Sequence, residues 1–239
     1  MSLVSGKPQK SYPWFLRLFF WKQRRTYGRV LDPSLLWGRS PWVFVGLALL
    51  YGALDRRSSP MSPALRSLVT VRVSQINHCA FCVDVNSATL HRRGVSLEKI
   101  AQLAEWRSSA LFDAQERLAL EYAEAITLNR VDDALRERLK QHWSEDFIVE
   151  VTALVAFQNL SSKFNAALDV PAQGFLQPSR AQELMELDIR GCRRRYSPLS
   201  ADAGCTRWRA TLSDRISCVR PQGSTVSALD PTLRLPGGS

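Results

Sequence analysis

An all-α bundle is what this sequence of 239 residues predicts. Three observations carry that expectation. Apolar residues recur at helical spacing at Leu118, Tyr122, Ala125 and Ile126, and again at Ile148, Val151, Val155 and Leu160. A helix-start signal precedes each run: Asp113 with Glu116 three residues on, and Ser144. No pair of alternating apolar runs flanks a tight turn, so a hairpin signal is missing. Helices with short connections then pack as a bundle. With 45% hydrophobic and 23% charged residues, the chain can bury a core in one or two domains without disulfide or metal staples.

In chain order, residues 1–12 are polar. Tyr12 to Trp21 is dense in aromatics and leucine and is followed by Lys22, Arg24 and Arg25. Such a segment could lie on a membrane surface. An interfacial helix keeps a cleaner polar face, so an arm packed on the body or on a neighbouring subunit is the favoured reading. Pro33-Ser34 opens a short helix, and Ser40-Pro41 opens an apolar one with Pro at its first position. That apolar stretch, from Trp42 to Leu54, is shorter than the about 20 residues a bilayer needs. No apolar signal core follows Lys7 and Lys10, so export is not expected.

From Leu65 the pattern reads two ways. Val69, Val71 and Val73 alternate with polar residues, as in a strand. Leu65, Leu68, Val69, Arg72 and Ile76 equally fit one helical face. Asp132-Asp133 begins a short charged helix through Gln141, and the run after Ser144 stops before Pro171. Residues 176–239 carry only scattered apolar singles, the Arg193-Arg194-Arg195 run and late Pro and Gly breaks. They read as a basic, largely disordered tail, briefly helical at most from Ala181 to Ile189.

The formal net charge of +10 suggests nucleic acid until it is divided. Residues 1–60 hold ten Lys/Arg against two acids, and residues 176–239 hold ten Arg against six acids. The middle keeps 12 basic and 14 acidic residues, so the body is near neutral. No zinc-finger, RNP-like or basic-heptad pattern accompanies the charge, and no nucleic-acid partner is expected.

Chemistry concentrates in the five cysteines. Cys192, Cys205 and Cys218 sit 13 residues apart in the tail and match no metal motif. Cys79-Ala80-Phe81-Cys82 is either half a zinc site or a redox dithiol. Zinc would need two more ligands, with only His78 and His91 near, so no metal is expected. At a helix start, positions i and i+3 share a side, and the positive helix end stabilises a thiolate. A thiolate attacks a peroxide oxygen to give a sulfenic acid, which a partner cysteine converts to a disulfide.

The stretch Arg66 to Ala88 around that motif resembles the carboxymuconolactone decarboxylase and AhpD-like alkylhydroperoxidase family. The resemblance continues through Gly94-Val95-Ser96, Leu103 to Arg107, Phe112 to Arg117 and Phe157 to Asn165, covering about residues 30–175. It implies an all-helical, AhpD-like domain over 30–175, preceded by an arm over 1–29 and followed by the tail. It also implies helix rather than strand over 65–77 and assembly as a trimer or hexamer. By the same resemblance Cys82 attacks peroxide, and Cys79 resolves it and exchanges with a reductant.

The family motif is a Glu, eleven residues, CxxC, three residues and a His. The Glu position falls on Ser67 and the His position on Asn86, so both members of the proton relay are absent. Asn86 can hydrogen-bond but carries no proton. General-base help is worth about 10²–10⁴ in rate, which makes His78, four residues before Cys82, the candidate substitute. Asp84 and His91 are expected in solvent. Asn159 and Asn165 interrupt an apolar face, either lining the site or a subunit contact, or capping and packing helices. Trp106 and Arg107 could frame a substrate mouth, but a buried ring next to a surface charge is the commoner case.

The expected site is therefore Cys82, Cys79, His78 and Asn86, with no cofactor. The expected function is a cytoplasmic, thiol-dependent hydroperoxide reductase served by a dithiol reductant protein. The alternative is a non-catalytic oligomeric scaffold or small-molecule binder that has lost the relay. The same loss argues against the cysteine-free lactone decarboxylases of the family.

Overall fold

A computed structural model describes residues 3–176, and among them every regular element is helical. The tail expectation, including Ala181 to Ile189, lies outside the described residues. The arm forms α1 (Trp14–Tyr27), followed by α2 (Asp32–Trp37) and α3 (Pro41–Leu54). The body follows as α4 (Pro63–Ile76), α5 (Ala80–Arg92), α6 (Leu97–Ala101), α7 (Ala114–Thr127), α8 (Asp133–His142) and α9 (Glu145–Ala167).

The ambiguous stretch is helix α4, and its surroundings explain the strand-like pattern. α4 packs against α5, α7 and α9 at once. Val69, Val71 and Val73 are all fully buried, together with Leu68 and Ser74, and Leu65 is nearly so. A helix enclosed on several sides has no single apolar stripe, so its period of 3.6 is not visible. Residues of α7 and α9 (Leu120, Ala123, Val151, Val155) complete the same core.

Starts are capped as the sequence predicts. Asp113 and Glu116 make a reciprocal capping box at α7, and Ser144 Oγ accepts the Phe147 N–H at α9. Ser62 and Asp132 cap α4 and α8 in the same way.

The arm packs on its own chain. Tyr12, Leu16 and Phe20 are buried against Phe44 of α3, and the Tyr12 hydroxyl donates to the Leu35 carbonyl at 2.7 Å. Buried Gln23 donates to Ser34 Oγ at 2.7 Å and accepts the Leu31 N–H, joining α1 to α2. The opposite face of α1 leaves Trp14, Leu18 and Trp21 exposed. Among the described residues no helix is long and apolar enough to cross a membrane.

Candidate functional site

The turn between α4 and α5 builds the site. His78 adopts a left-handed conformation (φ 52°) and its N–H closes α4 on the Gln75 carbonyl. Asn77 Nδ2 donates to Asn159 Oδ1 at 2.9 Å and to Ser162 Oγ at 2.8 Å, which pins this turn to α9. The chain then re-enters helix with Cys79 as N-cap. Its Sγ accepts the Cys82 N–H at 3.2 Å.

Cys79 and Cys82 are joined as a disulfide, with their Cα atoms 5.2 Å apart. Both are buried within an apolar cluster of Leu31, Leu36, Phe81 and Val170, flanked by Val4, Tyr27, Phe164 and Phe175. The N-terminal arm and the segment after α9 thus help enclose the sulfurs. The two cysteines are not equivalent. Cys79 lines a shallow pocket of about 520 Å³ with His78, Ala80, Val83, Ser87 and Leu176. Cys82 does not line that pocket, and its Sγ accepts a hydrogen bond from Asn165 Nδ2 at 3.3 Å.

The relay positions are occupied by unrelated networks. Ser67 Oγ accepts from Arg93 at 2.9 Å, and the same guanidinium pairs with both oxygens of Asp55. Asn86 Nδ2 donates to Ser74 Oγ at 3.2 Å. Ser74 is a hub: it also accepts from Gln158 Nε2 at 2.9 Å and donates to the Thr70 carbonyl at 2.6 Å.

Two expectations about neighbouring residues need correction. α5 begins at Ala80, so His78 stands outside the helix and the i,i+4 relation to Cys82 does not apply. Its exposed ring borders the pocket on the Cys79 side. Asp84 is not simply solvated. Its carboxylate accepts the backbone N–H groups of Gln173, Phe175 and Leu176 at 2.8, 2.8 and 2.9 Å. This clasp holds residues 173–176 beside Cys79. Nothing local in the sequence marks it, because the partners are about ninety residues away.

His91 is exposed, with Nδ1 at the Val95 carbonyl. Sequence reasoning missed Ser74, an ordinary polar residue on an apolar helix, and marked Gln158 only as the start of the polar interruption on α9. Trp106 is buried and Arg107 exposed; both reach Glu124, which Arg72 also pairs. Burial pushes the Glu124 carboxyl up, but hydrogen bonds from Arg107, Trp106 and Arg72 outweigh it and hold it below its ordinary value. Among the described residues no group of three or more His, Cys, Asp or Glu could hold a metal.

Residues 46–125 match the carboxymuconolactone decarboxylase family. The uncharacterized protein YnjA of Escherichia coli (strain K12) is 47% identical over 169 residues, covering 70% of this chain and 93% of that protein. In fold, the chain resembles an uncharacterized peroxidase-related protein with an alkylhydroperoxidase AhpD core from Ralstonia eutropha JMP134. The TM-score is 0.67 at 21% identity, over 73% of this chain and 94% of that one. It also resembles the debrominase Bmp8, with a TM-score of 0.64 at 22% identity over 73% and 94%. The helices around the CxxC turn are therefore an AhpD-like fold, and the chain belongs to the carboxymuconolactone decarboxylase family.

Proposed function

We propose that the protein is a dithiol–disulfide oxidoreductase that reduces hydroperoxides through Cys82 and Cys79. The observation that carries this reading is the Cys79–Cys82 disulfide at the start of α5, with Cys79 lining a pocket and Cys82 Sγ held against an amide donor. The Cys82 thiolate attacks the terminal oxygen of ROOH. The O–O bond breaks, the alkoxide leaves and takes a proton from solvent, and Cys82 becomes a sulfenic acid. The Cys79 thiolate then attacks that sulfur. Hydroxide leaves as water after protonation, and the disulfide closes. A dithiol reductant protein returns two electrons and two protons through Cys79.

Proton handling falls to solvent and His78, because Ser67 and Asn86 are engaged elsewhere. We place the enzyme in a reducing cytoplasm, as a homo-oligomer. The test is stopped-flow mixing of the reduced protein with cumene hydroperoxide, with thiols counted before and after and the bridge located by mass spectrometry. Rapid loss of two thiols into a Cys79–Cys82 bridge is the expected result. Reaction no faster than free cysteine overturns the peroxide reading and leaves a scaffold or binder. A parallel run with 2,3,4-tribromopyrrole, a ligand of the fold relative Bmp8, asks whether the dithiol's electrons go to a carbon–halogen bond instead.

A further inference from the structure

We propose that Asn165 is a catalytic residue of thiol–disulfide exchange, whose side-chain amide receives the Cys82 sulfur when the Cys79–Cys82 bond opens. The proposal rests on the dithiol reading above but not on the identity of the oxidant. Asn165 is 1% exposed and its Nδ2 lies 3.3 Å from Cys82 Sγ. A disulfide sulfur carries no proton, so only the NH₂ end of the amide can bond to it. That fixes the orientation and leaves Oδ1 buried without a hydrogen-bond partner.

Packing does not account for this arrangement. A buried, unpaired carbonyl is unfavourable, and an apolar side chain would fit the surrounding cluster of Leu36, Phe164 and Val170 without that penalty. Three other polar residues of this part of α9 are spent on structure. Gln158 serves the Ser74 hub, while Asn159 and Ser162 hold the Asn77 turn. Asn165 alone on this helix reaches a reacting atom.

The geometry gives the amide a role in each state of the sulfur. A thiolate of the incoming dithiol attacks Cys79, the cysteine that borders the pocket. The Cys79–Cys82 bond breaks, and its electron pair leaves on Cys82 as a buried thiolate. Asn165 Nδ2 donates to that thiolate, a stronger bond than the one to the neutral disulfide. The second thiol of the reductant gives up its proton and attacks the mixed disulfide, releasing Cys79. When Cys82 takes a proton, its S–H needs an acceptor. A half-turn of the amide presents Oδ1, the atom left unpaired in the oxidised protein.

The experiment uses the full chain with Cys192, Cys205 and Cys218 replaced by Ser, so that thiolate absorbance at 240 nm belongs to the site. In a further Cys79→Ser background, Asn165→Ala and the isosteric Asn165→Asp should each raise the titration midpoint of Cys82. With both site cysteines present, each substitution should shift the equilibrium with dithiothreitol about tenfold toward the disulfide, about 30 mV for a two-electron couple. In the chain with native Asn165, its side-chain amide resonances should follow the Cys82 titration, which needs no substitution to fold.

Unchanged titration and exchange equilibrium in a folded variant would overturn the proposal. So would Asn165 amide resonances insensitive to the Cys82 titration. None of these measurements uses a hydroperoxide. Failure here is therefore separable from failure of the peroxidase reading, which would show as normal exchange without peroxide turnover.

Discussion

In the proposed peroxide chemistry the deciding single side chains are Asn86 and Ser67, which stand at the relay positions. An imidazole at position 86 could take the proton that an amide cannot, so Asn86→His should raise the second-order rate with cumene hydroperoxide at least about tenfold, less than the about 10²–10⁴ of a complete general-base relay because the Glu position stays Ser67. Ser67→Glu alone should leave the rate unchanged, because Arg93 already lies 2.9 Å from Ser67 Oγ and would pair with the new carboxylate. Stopped-flow traces of the two single variants and the double variant check both statements. Cys82→Ser should abolish turnover, whereas Cys79→Ser should consume one equivalent of peroxide and stop at the sulfenic acid. The cysteines were legible from the sequence because the i,i+3 spacing is local. The asymmetry between them was not, since it arises from Asn165 and Leu176, residues 83 and 94 positions further on than Cys82.

At the scale of elements, long-range polar contacts hold the site together. Three N–H groups converge on Asp84, and hydrogen bonds to a charged group are each worth about 1.5–3 kcal/mol. Asp84→Ala should therefore release residues 173–176 while leaving α5 intact. Hydrogen exchange at Gln173, Phe175 and Leu176 should rise at least about tenfold, and reduction of the disulfide by a protein dithiol should accelerate as Cys79 is uncovered. Glu124 ties α7 to α4 through Arg72 and to the Trp106–Arg107 turn. Its folded-state carboxyl lies below its ordinary value. The stability it contributes is thus fully present above the unfolded value and is lost as pH falls through the folded one. Glu124→Gln should flatten the acid limb of Tm against pH, and Glu124→Ala should cost about 3 kcal/mol by leaving Arg72 unpaired. The helices themselves were legible wherever one face is buried and a cap is local, as at Asp113 and Ser144. α4 was ambiguous because burial on several sides erases the periodicity that separates helix from strand.

For the whole molecule, the unfinished business is the outer face of α3. None of its fourteen residues is charged, yet Trp42 is 79% exposed and Leu49 71%, with Val43, Leu50 and Tyr51 beside them. α3 runs along α9, as the Tyr51–Phe157 ring contact and the Arg56–Glu150 pair show. α9 adds exposed Val149 and Leu160. The homo-oligomer proposed above would find its contact here, since exposed apolar residues gathered on packed helices are what association surfaces are made of. The basic residues of the first 60 lie on the arm and α1 or flank α3 at Arg39, Arg56 and Arg57, so α3 itself offers an anionic surface no charge to grip. A second copy presents the same uncharged stripe, and Gly46 and Gly52, with open space around them, let two backbones approach closely. Leu49→Lys with Leu50→Glu should convert a homo-oligomer to monomer in light scattering, with α-helical circular dichroism unchanged because neither residue is in the core. An unsubstituted chain that is monomeric at tens of micromolar would remove the copy-to-copy reading of this face. If the monomeric variant keeps disulfide exchange and peroxide turnover, the site around Cys79 and Cys82 is complete within one chain.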